Sequence, residues 1–130
     1  DDLHLRPEFK ELVQMLLNIS EVQIHNLPWD CIGMWANINP PGGGNNVHMH
    51  EGVLSGTVWL QADPDLSGGL VFVDPRIRSK MSGQRGSFLF GTNNKGYHPV
   101  DGMGVLFPAW FEHLYWKIKM IKIEFLYHSI

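Results

Sequence analysis

The chain has 130 residues, ten basic side chains against thirteen acidic ones and a formal net charge of -3. Its length suits one domain with one core, and its 44% hydrophobic and 18% charged content suits a folded chain over a disordered one. No basic block or stripe suggests nucleic acid or an anionic membrane surface, and no apolar run approaches the roughly 20 residues that span a bilayer. No secretory leader is legible. A single cysteine, Cys31, excludes an internal disulfide and suits a cytoplasmic setting. The chain opens on Asp1-Asp2 without Met, as a trimmed piece of something longer would.

Residues 6–18 are expected to form the one helix, packed on a sheet. Pro7 suits its first turn, and Phe9, Leu12, Val13, Met15, Leu16 and Leu17 make an apolar stripe at helical spacing. After Asn26 the pattern changes to short apolar runs between Gly, Pro, Asn and Asp clusters, which is a strand-and-turn pattern. Expected strands are Cys31–Ile38, Val47–His50, Ser55–Gln61, Leu70–Val73, Ser87–Phe90, Gly104–Phe107, Phe111–Trp116 and Ile121–Tyr127. The stretch from Pro40 to Asn46 is expected to be a loop. Fourteen glycines and five tryptophans also favour β structure with tight turns, so the pattern predicts an all-β sandwich or barrel spanning about residues 30–128.

His48 and His50 stand two apart. On a strand, that spacing puts both rings on one face, where they could reach one metal ion. A third ligand would have to come from elsewhere. His113 is the best placed, in the aromatic segment Phe107-Pro108-Ala109-Trp110-Phe111-Glu112-His113, where a ring nitrogen needs a partner. The plainer reading is that all three are ordinary polar strand residues. His4, His25, His98 and His128 lack such spacing and read as surface or structural. Glu51 is the nearest carboxylate, but its odd offset points it to the other face, so it ranks below His50.

Several blocks, in order, resemble a family of 2-oxoglutarate/Fe(II) oxygenases. They are Trp35-Ala36-Asn37, His48-Met49-His50, Leu54-Ser55-Gly56-Thr57-Val58-Trp59-Leu60, Asp74-Pro75-Arg76 and Phe107-Pro108-Ala109-Trp110-Phe111-Glu112-His113. The family pattern runs W-x-N, H-x-H, L-S-G-x-x-Y-L, D-P-R, F-P-x-W-x-x-H. The ordered set is far more specific than any one block. The resemblance implies a double-stranded β-helix, that is a cupin-like jelly roll, making 1–130 a single jelly-roll domain. It implies Fe(II) on His48, His50 and His113, and 2-oxoglutarate as cosubstrate, which is decarboxylated while a small-molecule or peptide substrate is oxidised. Ser55, Thr57 and Trp59 alternate along one strand and would line the cosubstrate pocket. Trp35 and Asn37 share a face and, with Arg76 or Arg85, would meet substrate or an anionic group. Each of these is equally readable as a core or surface residue.

Two departures stand out. Most relatives in the wider superfamily use a carboxylate as second ligand, where this chain has His50; a three-histidine set is neutral where the usual one is anionic. After the metal His, relatives also continue through a short polar turn to R-I-S-I-S-F-N, whose Arg is expected to hold the distal carboxylate of 2-oxoglutarate. Here the tail after Tyr115 contains no Arg, and Lys122 is the expected stand-in, so weak 2-oxoglutarate binding is anticipated. Codons for Trp116 to Ile130 can be chosen so that a one-base regrouping reads E-N-Q-N-D-K-N-R-I-S-I-S-F-N. A frameshifted last strand is therefore a second reading of the tail, and the nucleotide sequence decides it. Two other functions stay open: a metal-binding jelly roll without oxygenase activity, favoured by the missing Arg and carboxylate, and a ligand-binding module with incidental histidines. Exposed sheet faces or edges in such folds often pair, so a homodimer is also expected.

Overall fold

The computed structural model describes residues 2–25, 28–63, 69–73 and 97–129. Two 3-10 turns, Leu3–Leu5 and Pro7–Phe9, lead into helix α1, Lys10–Gln23. Pro7 thus opens a 3-10 turn and not the α-helix, because Phe9 at the helix N-cap leaves the helical region, with φ -100° and ψ 1°. At its other end the helix outruns the expected stop near Asn18 by five residues, to Gln23. There the Ser20 hydroxyl donates to the Leu16 carbonyl at 3.0 Å, and the Ile24 N–H closes on Ser20 at 2.9 Å. Leu16 is buried; Phe9, Leu12, Val13 and Leu17 pack beside it, while Met15 turns outward and is half exposed.

Five strands follow among the described residues: β1 Trp29–His48, β2 Leu54–Ala62, β3 Leu70–Phe72, β4 Gly104–Pro108 and β5 His113–Ser129. All pairings between them are antiparallel, in the order β1-β5-β2-β4, with β3 also on β5. β5 is the central strand. One edge pairs with β1 along its length; the other is shared by β3, at His113–Tyr115, and β2, at Met120–Tyr127. The sheet curls into a half-barrel.

Two expectations are corrected here. The segment Pro40–Asn46 lies inside β1 and not in a loop, because register shifts between Asn39 and Gly43, Gly43 and Asn45, and Asn45 and His48 absorb the two prolines and let pairing resume. Phe111–Trp116 and Ile121–Tyr127 are not two strands: the run from His113 onward is the single strand β5. Cys31–Ile38, Ser55–Gln61 and Gly104–Phe107 lie within β1, β2 and β4, and Leu70–Val73 gives β3 as far as Phe72. The expected strand Val47–His50 ends at His48, and Ser87–Phe90 falls outside the described residues.

Alternation divides the sheet into two faces. Cys31, Met34, Leu54, Ile123, Phe125 and Tyr127 form a buried apolar layer under α1. The register puts Trp35 and Thr57 opposite Glu124, and Asn37 and Trp59 opposite Lys122, so these six residues share the other face. A second apolar cluster, Trp59, Leu70, Phe107 and Tyr115, is buried there. Among the described residues no helix is long and apolar enough to cross a membrane.

Gly56 leaves no room for a side chain. A Cβ added there would overlap the Phe125 ring and come within 2.7 Å of the Val105 carbonyl oxygen, whereas one at Gly104 would meet nothing nearer than 3.6 Å. Gly56→Ala is therefore expected to cost about 1–3 kcal/mol in urea denaturation, and Gly104→Ala well under that. Equal costs would contradict this packing.

Candidate metal centre

His48 is the last residue of β1 and His113 the first of β5, and the register places them directly opposite one another. His50 lies two residues past β1. Its N–H donates to the Ala109 carbonyl at 2.9 Å, which ties this short exit to the turn between β4 and β5. The ring centroids stand 4.3 Å apart for His48 and His113, 5.0 Å for His48 and His50, and 5.2 Å for His50 and His113. One ligand nitrogen from each ring lies within 4.8 Å of the others. The three side chains thus gather on the face away from α1, although His50 is outside the strand on which its spacing was read.

The ring nitrogens are sorted by their partners. His48 Nδ1 is 2.7 Å from the Asn46 carbonyl oxygen and His113 Nδ1 is 2.9 Å from that of Phe111. A carbonyl can only accept, so each Nδ1 donates to it and Nε2 is the ring atom left to face a metal. Nε2 of His113 is buried with no hydrogen-bond partner. Burial pushes the His113 ring down to about 4, against the opposing pull of the Phe111 carbonyl; burial and the neighbouring His48 lower His50 as well. These two rings are therefore neutral at pH 7, with lone pairs available and no proton to lose. An outer N–H held by a backbone carbonyl is the arrangement that orients a metal-ligating imidazole. The donor set fits a divalent first-row ion such as iron, zinc, copper or nickel. Glu51 is exposed and takes no part in the cluster.

Aromatic rings wall the cluster. Phe107 is 4.7 Å from His113 by ring centroids, Tyr115 is 5.8 Å from it, and Trp35 is 5.6 Å from His50. Ser55, Thr57 and Trp59 are all buried on this face. The Ser55 hydroxyl donates to the Phe125 carbonyl at 3.2 Å, which gives it a structural partner. Asn37 is half-buried, and its Nδ2 has no partner. Arg76 and Arg85 lie outside the described residues.

Beyond the histidines the face turns charged. Lys122 and Glu124 are both buried, form an ion pair, and face Tyr115, with the Lys122 ammonium 2.9 Å from the ring centroid. Thr57 Oγ1, the Tyr115 hydroxyl, Lys122 Nζ and Glu124 Oε1 are buried without a hydrogen bond of good geometry. Burial lowers the Lys122 ammonium to about 8, although Glu124 pulls the other way; burial, then Glu124, drive the Tyr115 hydroxyl well above its ordinary range. Sequence reasoning singled out Lys122 but missed Tyr115 and Glu124 as members of the site. The signal was there: Tyr115 stands two after His113 and Glu124 two after Lys122 on one strand.

The model of the family described as "Putative 2OG-Fe(II) oxygenase" matches residues 33–119 of the chain. The matched stretch contains all three clustered histidines and stops short of Lys122 and Glu124. No curated protein matches the chain.

The buried pair has a pH signature. Between the folded value of about 8 and the ordinary lysine value of 10.5, the unfolded chain holds more protons at Lys122 than the folded one. Stability is thus expected to rise with pH between 8 and 9, by up to about 1 kcal/mol per unit. Urea denaturation should show that rise in the unaltered chain and not in Lys122→Met/Glu124→Leu. The same slope in both would place the cause elsewhere.

Proposed function

The chain belongs to the 2OG-Fe(II) oxygenase family, and from that premise we propose that it is an Fe(II)- and 2-oxoglutarate-dependent oxygenase whose metal is held by His48, His50 and His113. The observation that carries the reading is the buried, unpartnered Nε2 of His113, pointed among two further imidazoles within ligand distance. An apolar wall with an unsatisfied buried nitrogen costs stability unless something binds there. On this reading residues 1–130 form a single jelly-roll domain, and the antiparallel half-barrel with its covering helix supports it.

Bound iron with 2-oxoglutarate supplies the oxidising chemistry; the protein supplies ligands, orientation and a dry wall. The Asn46 and Phe111 carbonyls hold two of the three rings in the right tautomer. Trp35, Phe107 and Tyr115 wall the cluster on its inner side, while His48 and His50 stay partly open to solvent. Thr57 and Trp59, buried beside Tyr115, border the cosubstrate, and Trp35 and Asn37 border a small-molecule or peptide substrate on the β1 side. Lys122 is the buried cation on this face among the described residues, where an anionic group would seek charge.

A second reading, a metal-binding jelly roll without oxygenase activity, is favoured by one observation: the third donor is an imidazole, so the site brings no negative charge to the ion. Turnover separates the two. With Fe(II), ascorbate and millimolar 2-oxoglutarate in air, the oxygenase reading expects iron-dependent succinate, reduced to background in His113→Ala. Iron retained at about one per chain with no succinate would favour the second reading.

A further inference from the structure

The proposed chemistry gives Glu124 no task, yet its carboxylate is buried beside Lys122, the buried cation on this face among the described residues. Register fixes the arrangement. Lys122 and Glu124 are two apart on β5, facing Asn37 and Trp59 in one case and Trp35 and Thr57 in the other, so both must project from the histidine-bearing face. Their side chains are sealed from water and joined as an ion pair. An ammonium already matched by one carboxylate has little charge left for a second. Two carboxylates on one buried ammonium would leave a negative charge uncompensated in a poorly polarisable setting.

2-Oxoglutarate carries a carboxylate at each end. The end bearing the 2-oxo group suits a metal; the distal one needs a cation once it is buried. We infer that Glu124 is an internal carboxylate that occupies Lys122 and removes the selectivity of this site for a dicarboxylate. The chain then accepts a 2-oxo monocarboxylate, such as 2-oxobutyrate, about as well as 2-oxoglutarate. The inference rests on the reading of the histidines as a metal site that receives a 2-oxo acid. Glu124 is on this account a specificity-determining residue. Replacing it with the isosteric amide would return the charge of Lys122 to a ligand.

The test is calorimetric titration of the Fe(II)-loaded chain under nitrogen with each acid separately, which needs no turnover. The unaltered chain should bind 2-oxoglutarate and 2-oxobutyrate within about threefold of one another. Glu124→Gln, checked for iron content and circular dichroism, should bind 2-oxoglutarate about tenfold or more tightly than the unaltered chain, with 2-oxobutyrate unchanged. A preference for 2-oxoglutarate beyond about tenfold in the unaltered chain overturns the inference without any variant, so a variant that fails to fold leaves the decision intact. An iron-bearing Glu124→Gln with unchanged 2-oxoglutarate affinity overturns it too. Failure of the iron-loaded, unaltered chain to bind either acid overturns the underlying reading of the site along with it.

Discussion

His48 faces His113 because β1 and β5 pair antiparallel along their whole length, with register shifts that bring the end of one strand onto the start of the other. This pairing sets the position of everything that follows. It places two imidazoles across a single rung, and the tie from His50 to the Ala109 carbonyl swings the third ring in beside them. The same strand β5 carries Tyr115, Lys122 and Glu124 further along, and pairing with β2 puts Thr57 and Trp59 next to them. A slip of one residue between β1 and β5 would turn the charged pair into the apolar layer under α1 and bring Ile123 and Phe125 to the site.

The two faces make different physical bargains. Under α1 the layer built on Met34, Phe125 and Tyr127 contributes by removing apolar surface from water. On the other face, buried polar atoms on His113, Thr57, Tyr115, Lys122 and Glu124 lack well-formed partners. Such groups cost stability, and structures keep them where a ligand completes them. The His50 and His113 rings are neutral and lined by aromatic side chains. The β5 tail brings one positive and one negative charge that satisfy each other first.

Much of this was legible in the sequence, and the reasons differ by element. The 3.6-residue stripe from Phe9 to Leu17 marked the helix, and the two-residue spacing of His48 and His50 marked the cluster. The helix end was not legible, because Ile19 and Val22 fall off the stripe on the exposed side while Ser20, a polar residue, is buried. The proline-glycine run read as a loop because a strand that absorbs three register shifts has no local signature. Glu124 read as one step of an alternating strand; only the pairing with β2 and β1 shows that its face is the histidine face. Arg76 and the segment around it lie outside the described residues. The family match covers residues 33–119, so Lys122 and Glu124 lie beyond it, and the tail after Tyr115 contains no Arg.

The proposed function stands on three imidazoles holding one metal ion. X-ray absorption at the metal edge of the iron-loaded chain counts them directly. The expected spectrum shows scattering from three imidazole rings bound through nitrogen at about 2.1 Å, with the remaining positions taken by light oxygen donors. A shell with fewer than two imidazoles, or with a sulfur donor from Cys31, would contradict it.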